Sequence, residues 1–306
     1  MNQRRKPLTQ NDFIQAKDEF VLKRFDNGET ITVRDLQLAI LPIMDEIHRI
    51  CVQNNIPYGL IAGSALGIVN YHGFIPWDDD IDVCVLKQDW SRFIEAMKRD
   101  LRPEFYFQCF ETDKKYNVLI PSMKVRKRGT YIEEINVLLK NKCTTGDGVF
   151  VDIMIYDNVS ENVFQDQLYR TMIRALMVPI VLFENLGLNP VLLKTSVLNI
   201  ANHYANINEK SKLISQQISF IWVKLLKEPI FEKKDVLPFR LYPFEGREYY
   251  SFQNLDAVLP KWYGLGSLKQ RDGDKWVEPF PFEKRKPSHV VDLNLMNDQP
   301  HKKTKK

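Results

Sequence analysis

The sequence is short of cysteine, of long apolar runs and of net charge, and each shortage removes a class of protein. Its four cysteines, Cys51, Cys84, Cys109 and Cys143, include no Cys-x-x-Cys pair. That argues against a disulfide framework or a cysteine-held zinc, and suits buried thiols in a reducing compartment. The most apolar run, Ala175 to Phe183, is broken by Pro179 and falls far short of the ~20 residues that span a bilayer. The first ten residues hold no apolar stretch of the signal-peptide kind, so the expectation is a cytoplasmic protein. A net charge of +4 over 306 residues is too small and too dispersed for a nucleic-acid binder. Basic residues gather only at the ends, Arg4-Arg5-Lys6 and Lys302-Lys303-Thr304-Lys305-Lys306. These read as solvated termini, with weak attraction to an anionic membrane surface as the alternative.

What is present is an ordinary globular composition, 44% hydrophobic and 27% charged, enough for one generous domain or two modest ones. Leu36, Ile40, Ile43, Ile47 and Ile50 recur at helical spacing, with Thr32 as N-cap and Pro42 as a kink. Tyr58 to Ala62 reads as a short buried strand running into Gly63-Ser64 and then a small helix to Asn70. Ile81 to Leu86 is a second buried strand, followed by an amphipathic helix from Asp89 to Leu101. Phe105–Phe110, Val118–Arg126 and Gly148–Ile155 are further strand candidates. This alternation predicts an α/β (α+β) mixed sheet flanked by helices. From Phe164 to Lys227 the pattern turns helical, with the stripe Leu168, Met172, Leu176 and Ile180 read as core-facing. Pro238 to Pro287 is rich in aromatics, Pro and Gly, the composition of an irregular cap. The expected organisation is an N-terminal extension over 1–31, a catalytic core over 32–158, a helical region over 159–237, a C-terminal cap segment over 238–290 and a polar basic tail over 291–306.

The chemistry concentrates in Trp77-Asp78-Asp79-Asp80-Ile81-Asp82-Val83. Taken as a strand, this run puts Asp80 and Asp82 on one face about 6.6 Å apart, with Ile81 and Val83 in the core. Asp78 shares the acidic face if the strand extends to it, and Asp79 then points away. Carboxylates so placed repel one another unless a hard cation such as Mg²⁺ or Mn²⁺ joins them. Asp152 is a lone charge in the apolar run Val149 to Met154, costly unless paired or ligating. The metal candidates are therefore Asp80, Asp82 and Asp152, with Asp78 beside them. Gly63-Ser64, at a strand-to-helix junction, suits a phosphate held at a helix N-terminus. The order of these parts is the signature of the nucleotidyltransferase fold.

The stretch from Gly63 to Asp82, through His72-Gly73-Phe74-Ile75-Pro76-Trp77, closely resembles the hallmark of the LicD family. That family includes bacterial phosphocholine transferases and, more distantly, fukutin-type sugar-phosphate transferases. Met123 to Arg126 with Thr130, Gly148 to Ile153 and Leu259 to Gly264 are similar to further family segments. The resemblance implies metal-dependent transfer of a phosphorylated alcohol, foremost phosphocholine from CDP-choline, to a cell-surface glycan such as lipopolysaccharide, teichoic acid or capsule, with release of CMP. It implies a CDP-linked alcohol as donor, a glycan or glycolipid as acceptor, and a peripheral stay at the inner face of the membrane. Gly63, Ser64, Lys124, Arg126 and His72 are the donor-phosphate candidates. Only one of Lys124 and Arg126 is expected to face the site. Trp77, Trp262 and Tyr263, with Trp276, are candidates for an aromatic face against a quaternary ammonium. Two other readings use the same acids: a nucleotidyltransferase that releases pyrophosphate, and a non-enzymatic divalent-ion module.

Overall fold

The computed structural model describes residues 20–24, 28–114, 123–134, 148–218, 229–263, 270–272, 275–277 and 289–293. Cys143, Gly264 and the side chain of Trp276 lie outside the description. In chain order the strands β1 Val21–Arg24 and β2 Thr30–Thr32 precede helix α1 Val33–Gln53, β3 Tyr58–Leu60, α2 Ala62–Tyr71, β4 Asp82–Leu86 and α3 Lys87–Asp100. Next come β5 Phe105–Cys109, β6 Met123–Lys127, β7 Tyr131–Glu134 and β8 Phe150–Val159, then α4 Val163–Asn185 and α5 Val191–Ile207. The chain continues through β9 Leu213–Gln216, β10 Phe231–Glu232, α6 Lys233–Val236, β11 Arg240–Phe244, β12 Arg247–Ser251 and α7 Leu255–Tyr263.

Nine of these strands form one mixed sheet. Its main path is β10-β9-β8-β4-β3-β12-β11, with β6 also paired to β8 and β5 to β6. The ten-residue β8 is the axis. One edge pairs in parallel with β4, while the other carries β6 along residues 150–153 and β9 along 156–159, both antiparallel. Helix α1 starts as expected, because Thr32 caps it: the Thr32 hydroxyl accepts from Asp35 N–H, and the Asp35 carboxylate accepts from Thr32 N–H. α1 and α3 pack on one another and on β8. Their apolar stripes, Leu36/Ile40/Ile43/Ile47/Ile50 and Trp90/Phe93/Met97, are almost wholly buried in the main core.

Three parts differ from the expectation drawn from the sequence. Strand β9, Leu213–Gln216, pairs with β8 inside the stretch from Phe164 to Lys227 whose pattern reads as helical. The segment after Pro238, whose Pro and aromatic content suggests irregular chain, begins with the hairpin β11–β12, and Ser251 of β12 pairs in parallel with Leu60 of β3. Aromatic residues are as much at home on a sheet as in a cap, and cross-strand partners are invisible in a local window. In α4 the inward residues are Tyr169, Ile173, Met177 and Ile180, whereas Leu168 and Met172 face solvent. A strict four-residue spacing gains about 40° per step around a helix, so Leu168 and Ile180 lie about 120° apart and cannot both face inward. α4 and α5 form a second, smaller apolar cluster over the end of β8. Among the described residues no helix is long and apolar enough to cross a membrane.

Candidate active site

The site forms where β3 and β4 end beside the first turn of α2. Ile61 N–H donates to Asp82 O at 3.0 Å, and Asp82 N–H donates to the Ser64 hydroxyl at 3.1 Å. Asp152 N–H donates to Ile81 O at 3.0 Å, so the three chain segments are tied at one level of the sheet. Ala62 turns the chain into the helix with φ of 49°, a left-handed conformation costly for a residue with a side chain. Gly63 needs no side chain, for a physical reason: a Cβ there would run into Oδ2 of Asp78. The Asp78 carboxylate is thus held against the opening turn of α2, where free N–H groups and the helix dipole favour negative charge.

Asp78 and Asp79 are buried, Asp80 is half-buried, and one carboxylate oxygen from each lies within 4.8 Å of the others. Asp79 therefore does not point away, as it would if the strand extended to Asp78. Regular strand begins only at Asp82, so two-residue alternation does not govern residues 78–81. The loop is pinned from α1 by Gln37, whose amide donates to Asp78 O at 2.8 Å and Ile75 O at 3.1 Å. Gln37 is fully buried within an otherwise apolar face of α1, which is the one sequence signal that could have found it.

Beside the loop runs a row across three strands. Asp82 is in register with Asp152 on β4–β8, and Asp152 with Lys124 on β8–β6. Lys124 Nζ donates to Asp152 Oδ1 at 2.7 Å and sits 3.4 Å from the centroid of Phe150. Its side chain is only 2% exposed, against 15% for Asp152. β6 does not end between Lys124 and Arg126, so both lie over Phe150, but only Lys124 is in register with the acid. Arg126 donates to Gln108 Oε1 at 2.6 Å and Gly148 O at 2.7 Å, bracing the entry to β8.

The other candidates fall further out. His72 closes α2 as a left-handed C-cap, with φ of 55°, and its carbonyl accepts from Glu245 N–H at 2.9 Å. A ten-residue helix is about 15 Å long, so His72 and Gly63 stand at opposite ends of α2. Trp77 adjoins the acids in sequence, stacks on Phe20 at 6.2 Å and meets the edge of Tyr71 at 6.4 Å. Trp262 instead packs against Phe231 at 4.8 Å and Phe252 at 5.3 Å, while Tyr263 is half-buried against the main core. The Phe252 ring in turn meets Tyr156, four residues and roughly 13 Å along β8 from Asp152.

A mixed sheet that gathers acids beside the opening turn of a helix defines a nucleotidyltransferase-type domain. Residues 55–179 match the family model described as LicD/FKTN/FKRP, nucleotidyltransferase domain, and the chain thus carries a domain of the LicD family. A lipopolysaccharide cholinephosphotransferase of Haemophilus influenzae is 33% identical over 135 residues, which are 42% of this chain and 46% of that protein. An uncharacterized protein of Rickettsia prowazekii is 28% identical over 158 residues, 50% of each chain. The chain spans about half the length of these curated relatives.

Proposed function

We propose that the chain moves a phosphorylated alcohol, with phosphocholine from CDP-choline as the leading substrate, onto a glycan hydroxyl and releases CMP. The observation that carries this reading is the packing of Asp78, Asp79 and Asp80 at the start of α2, beside the row Asp82, Asp152 and Lys124. The likeness to a protein named as a lipopolysaccharide cholinephosphotransferase supports the choice of donor and acceptor class. An all-oxygen donor set fits Mg²⁺ or Mn²⁺ rather than zinc or copper. Asp80, Asp82 and Asp152, with Asp78 and Asp79 adjoining, are the residues that would hold such an ion. Bound there, it would supply positive charge to the phosphoryl oxygens as the reaction proceeds.

The protein's own groups have distinct tasks. The N–H groups opening α2 and the Ser64 hydroxyl, whose oxygen already accepts from Asp82 N–H, receive donor phosphate oxygens. Lys124 holds Asp152 in place and lends positive charge to the pyrophosphate. A carboxylate, Asp152 or Asp78, takes the proton from the acceptor hydroxyl as its oxygen bonds to the distal phosphorus. The bond from that phosphorus to the bridging oxygen breaks, and CMP leaves with the electron pair. Trp77, next to Asp78 in sequence, is the foremost aromatic face for a choline headgroup. A lipid-linked glycan acceptor would bring the protein to the inner face of the membrane.

The test is to incubate the purified chain with CDP-choline, Mg²⁺ or Mn²⁺ and a cell-envelope glycolipid extract, then measure CMP, with Asp82→Ala as control. Metal-dependent CMP that vanishes in Asp82→Ala is expected. CMP from CDP-ribitol or CDP-glycerol alone would overturn choline and keep the mechanism. Pyrophosphate from a nucleoside triphosphate, with no CMP from any donor, would replace the reading with nucleotidyl transfer.

A further inference from the structure

Helix α4 is built inside out. Its charged residues face the protein: Asp166 and Arg170 are buried and paired at 2.8 Å, Asp166 also accepts from the Tyr204 hydroxyl at 2.8 Å, and Glu184 pairs with the buried Lys194 of α5. Its outer crest is apolar. Phe164 is 75% exposed, Leu168 60%, Leu182 58% and Leu186 74%, and the crest turns the corner to Leu192 at 85%. Phe164, Leu168, Leu182 and Leu186 fall on one line along α4, with Thr171 and Ala175 between them, opposite the buried Tyr169, Ile173, Met177 and Ile180. Across the hairpin from Val163 to Ile207 no exposed residue is Asp, Glu, Lys or Arg, and the outward residues of α5 besides Leu192 and Ile207 are Thr195, Ser196, Asn199, His203 and Asn206. Ordinary surface helices show the reverse arrangement.

The exposed apolar residues of this hairpin present on the order of 1,000 Å² of surface, well above the ~300–600 Å² of the largest patch on a typical monomer. Their shape decides what covers them. α4 has 23 residues, so the ridge is about 34 Å long, and a second helix laid along it covers a strip about 10 Å wide. That strip, roughly 340 Å², leaves most of the exposed apolar surface uncovered. A convex, charge-free ridge can be covered completely by a deformable apolar phase. No described helix is long and apolar enough to cross a bilayer, so the ridge lies along the surface. We propose that the outer face of α4, continued through Leu186 and Leu192, is a lipid-docking surface that seats this domain on a membrane. The inference deepens the membrane association proposed above by assigning the surface for it, and its evidence is the exposure pattern of α4, not the reaction.

The experiment is co-sedimentation of the full chain with vesicles of phosphatidylcholine and phosphatidylglycerol, comparing wild type with Phe164→Ser/Leu168→Asn/Leu182→Asn. Wild type is expected in the pellet, with partitioning reduced about tenfold for each residue substituted. Leu182→Trp gives a separate readout, a blue shift of the added indole emission when vesicles are mixed in. Far-ultraviolet circular dichroism and the melting temperature check that each variant is folded. CMP release by the triple variant, measured with detergent-dispersed acceptor, separates this surface from the chemistry, because none of its residues belongs to the acidic site. Wild type left in the supernatant, or a folded triple variant that still pellets, would overturn the proposal. A wild-type dimer that the triple variant turns into monomer, without vesicle binding, would assign the ridge to a second copy instead.

Discussion

Lys124 and Asp152 form the most consequential ion pair of the site, and their exposure makes its energetics calculable. The ammonium is 2% exposed, lies on the Phe150 ring and meets a carboxylate that is 15% exposed. Removing one partner of a buried pair costs about 3–5 kcal/mol, chiefly through the charge left behind. Lys124→Met keeps an unbranched apolar stem, one atom shorter, and leaves behind the more exposed charge, so it should cost about 3 kcal/mol. Asp152→Asn leaves behind the more deeply buried ammonium and should cost about 4–5 kcal/mol. The double variant Lys124→Met/Asp152→Asn leaves neither charge. It should fall short of the summed single costs by about 2–3 kcal/mol, the coupling expected of residues in direct contact. Urea unfolding at pH 7 gives all three free energies, provided the slope with denaturant is unchanged. Single costs that simply add, or a Lys124→Met cost below about 1 kcal/mol, would refute a coupled buried pair.

Three further outcomes are expected. Gly63→Ala should leave the fold intact, since alanine favours a helix by about 1 kcal/mol over glycine. It should still cut CMP release at least 100-fold by displacing the Asp78 carboxylate, and unchanged turnover would show that Asp78 has no task there. Asp157 is pushed up to about 6 by burial, against its hydrogen bonds from Asn158 N–H and Gln217 and the charges of Lys87 and Lys233. The folded state therefore holds this proton more tightly than the unfolded chain, whose carboxyl titrates near 3.8. Stability from this group is present in full below that value and lost as pH rises through about 6, by about 2–3 kcal/mol in all. Asp157→Asn should flatten the dependence, and parallel curves of stability against pH for the two proteins would refute the assignment. Ala62→Gly should stabilise by about 1 kcal/mol, because glycine takes the left-handed turn without strain. A drop in melting temperature would show that the methyl group packs usefully.

Much of the core was legible because its signals are local. Thr32 with Asp35 announces the start of α1, and the apolar strands at Tyr58 and Asp82 flank Gly63-Ser64 as read. Asp152 stands out because a lone carboxylate among Val149, Phe150, Val151 and Ile153 needs a partner, and the partner it has in the fold is Lys124. Asp79 joins the acids because residues 78–81 are not yet strand, so two-residue alternation does not turn it away. Leu168 and Met172 face outward because a four-residue stripe drifts around a helix, and only the packed neighbours decide which side is inward.

The sequence by itself determined the order of strands and helices through the catalytic half, the acidic run and its distant third acid, and the family likeness carried by Gly63 to Asp82. Each of these rests on chemistry within a few residues of chain. Tertiary structure alone decided that Gln37 pins the acidic loop, that Gly63 makes room for Asp78, that β12 lies against β3, and that α4 turns its charges inward. Such facts depend on contacts between segments far apart in sequence, and no local pattern records which surfaces the folded chain brings together.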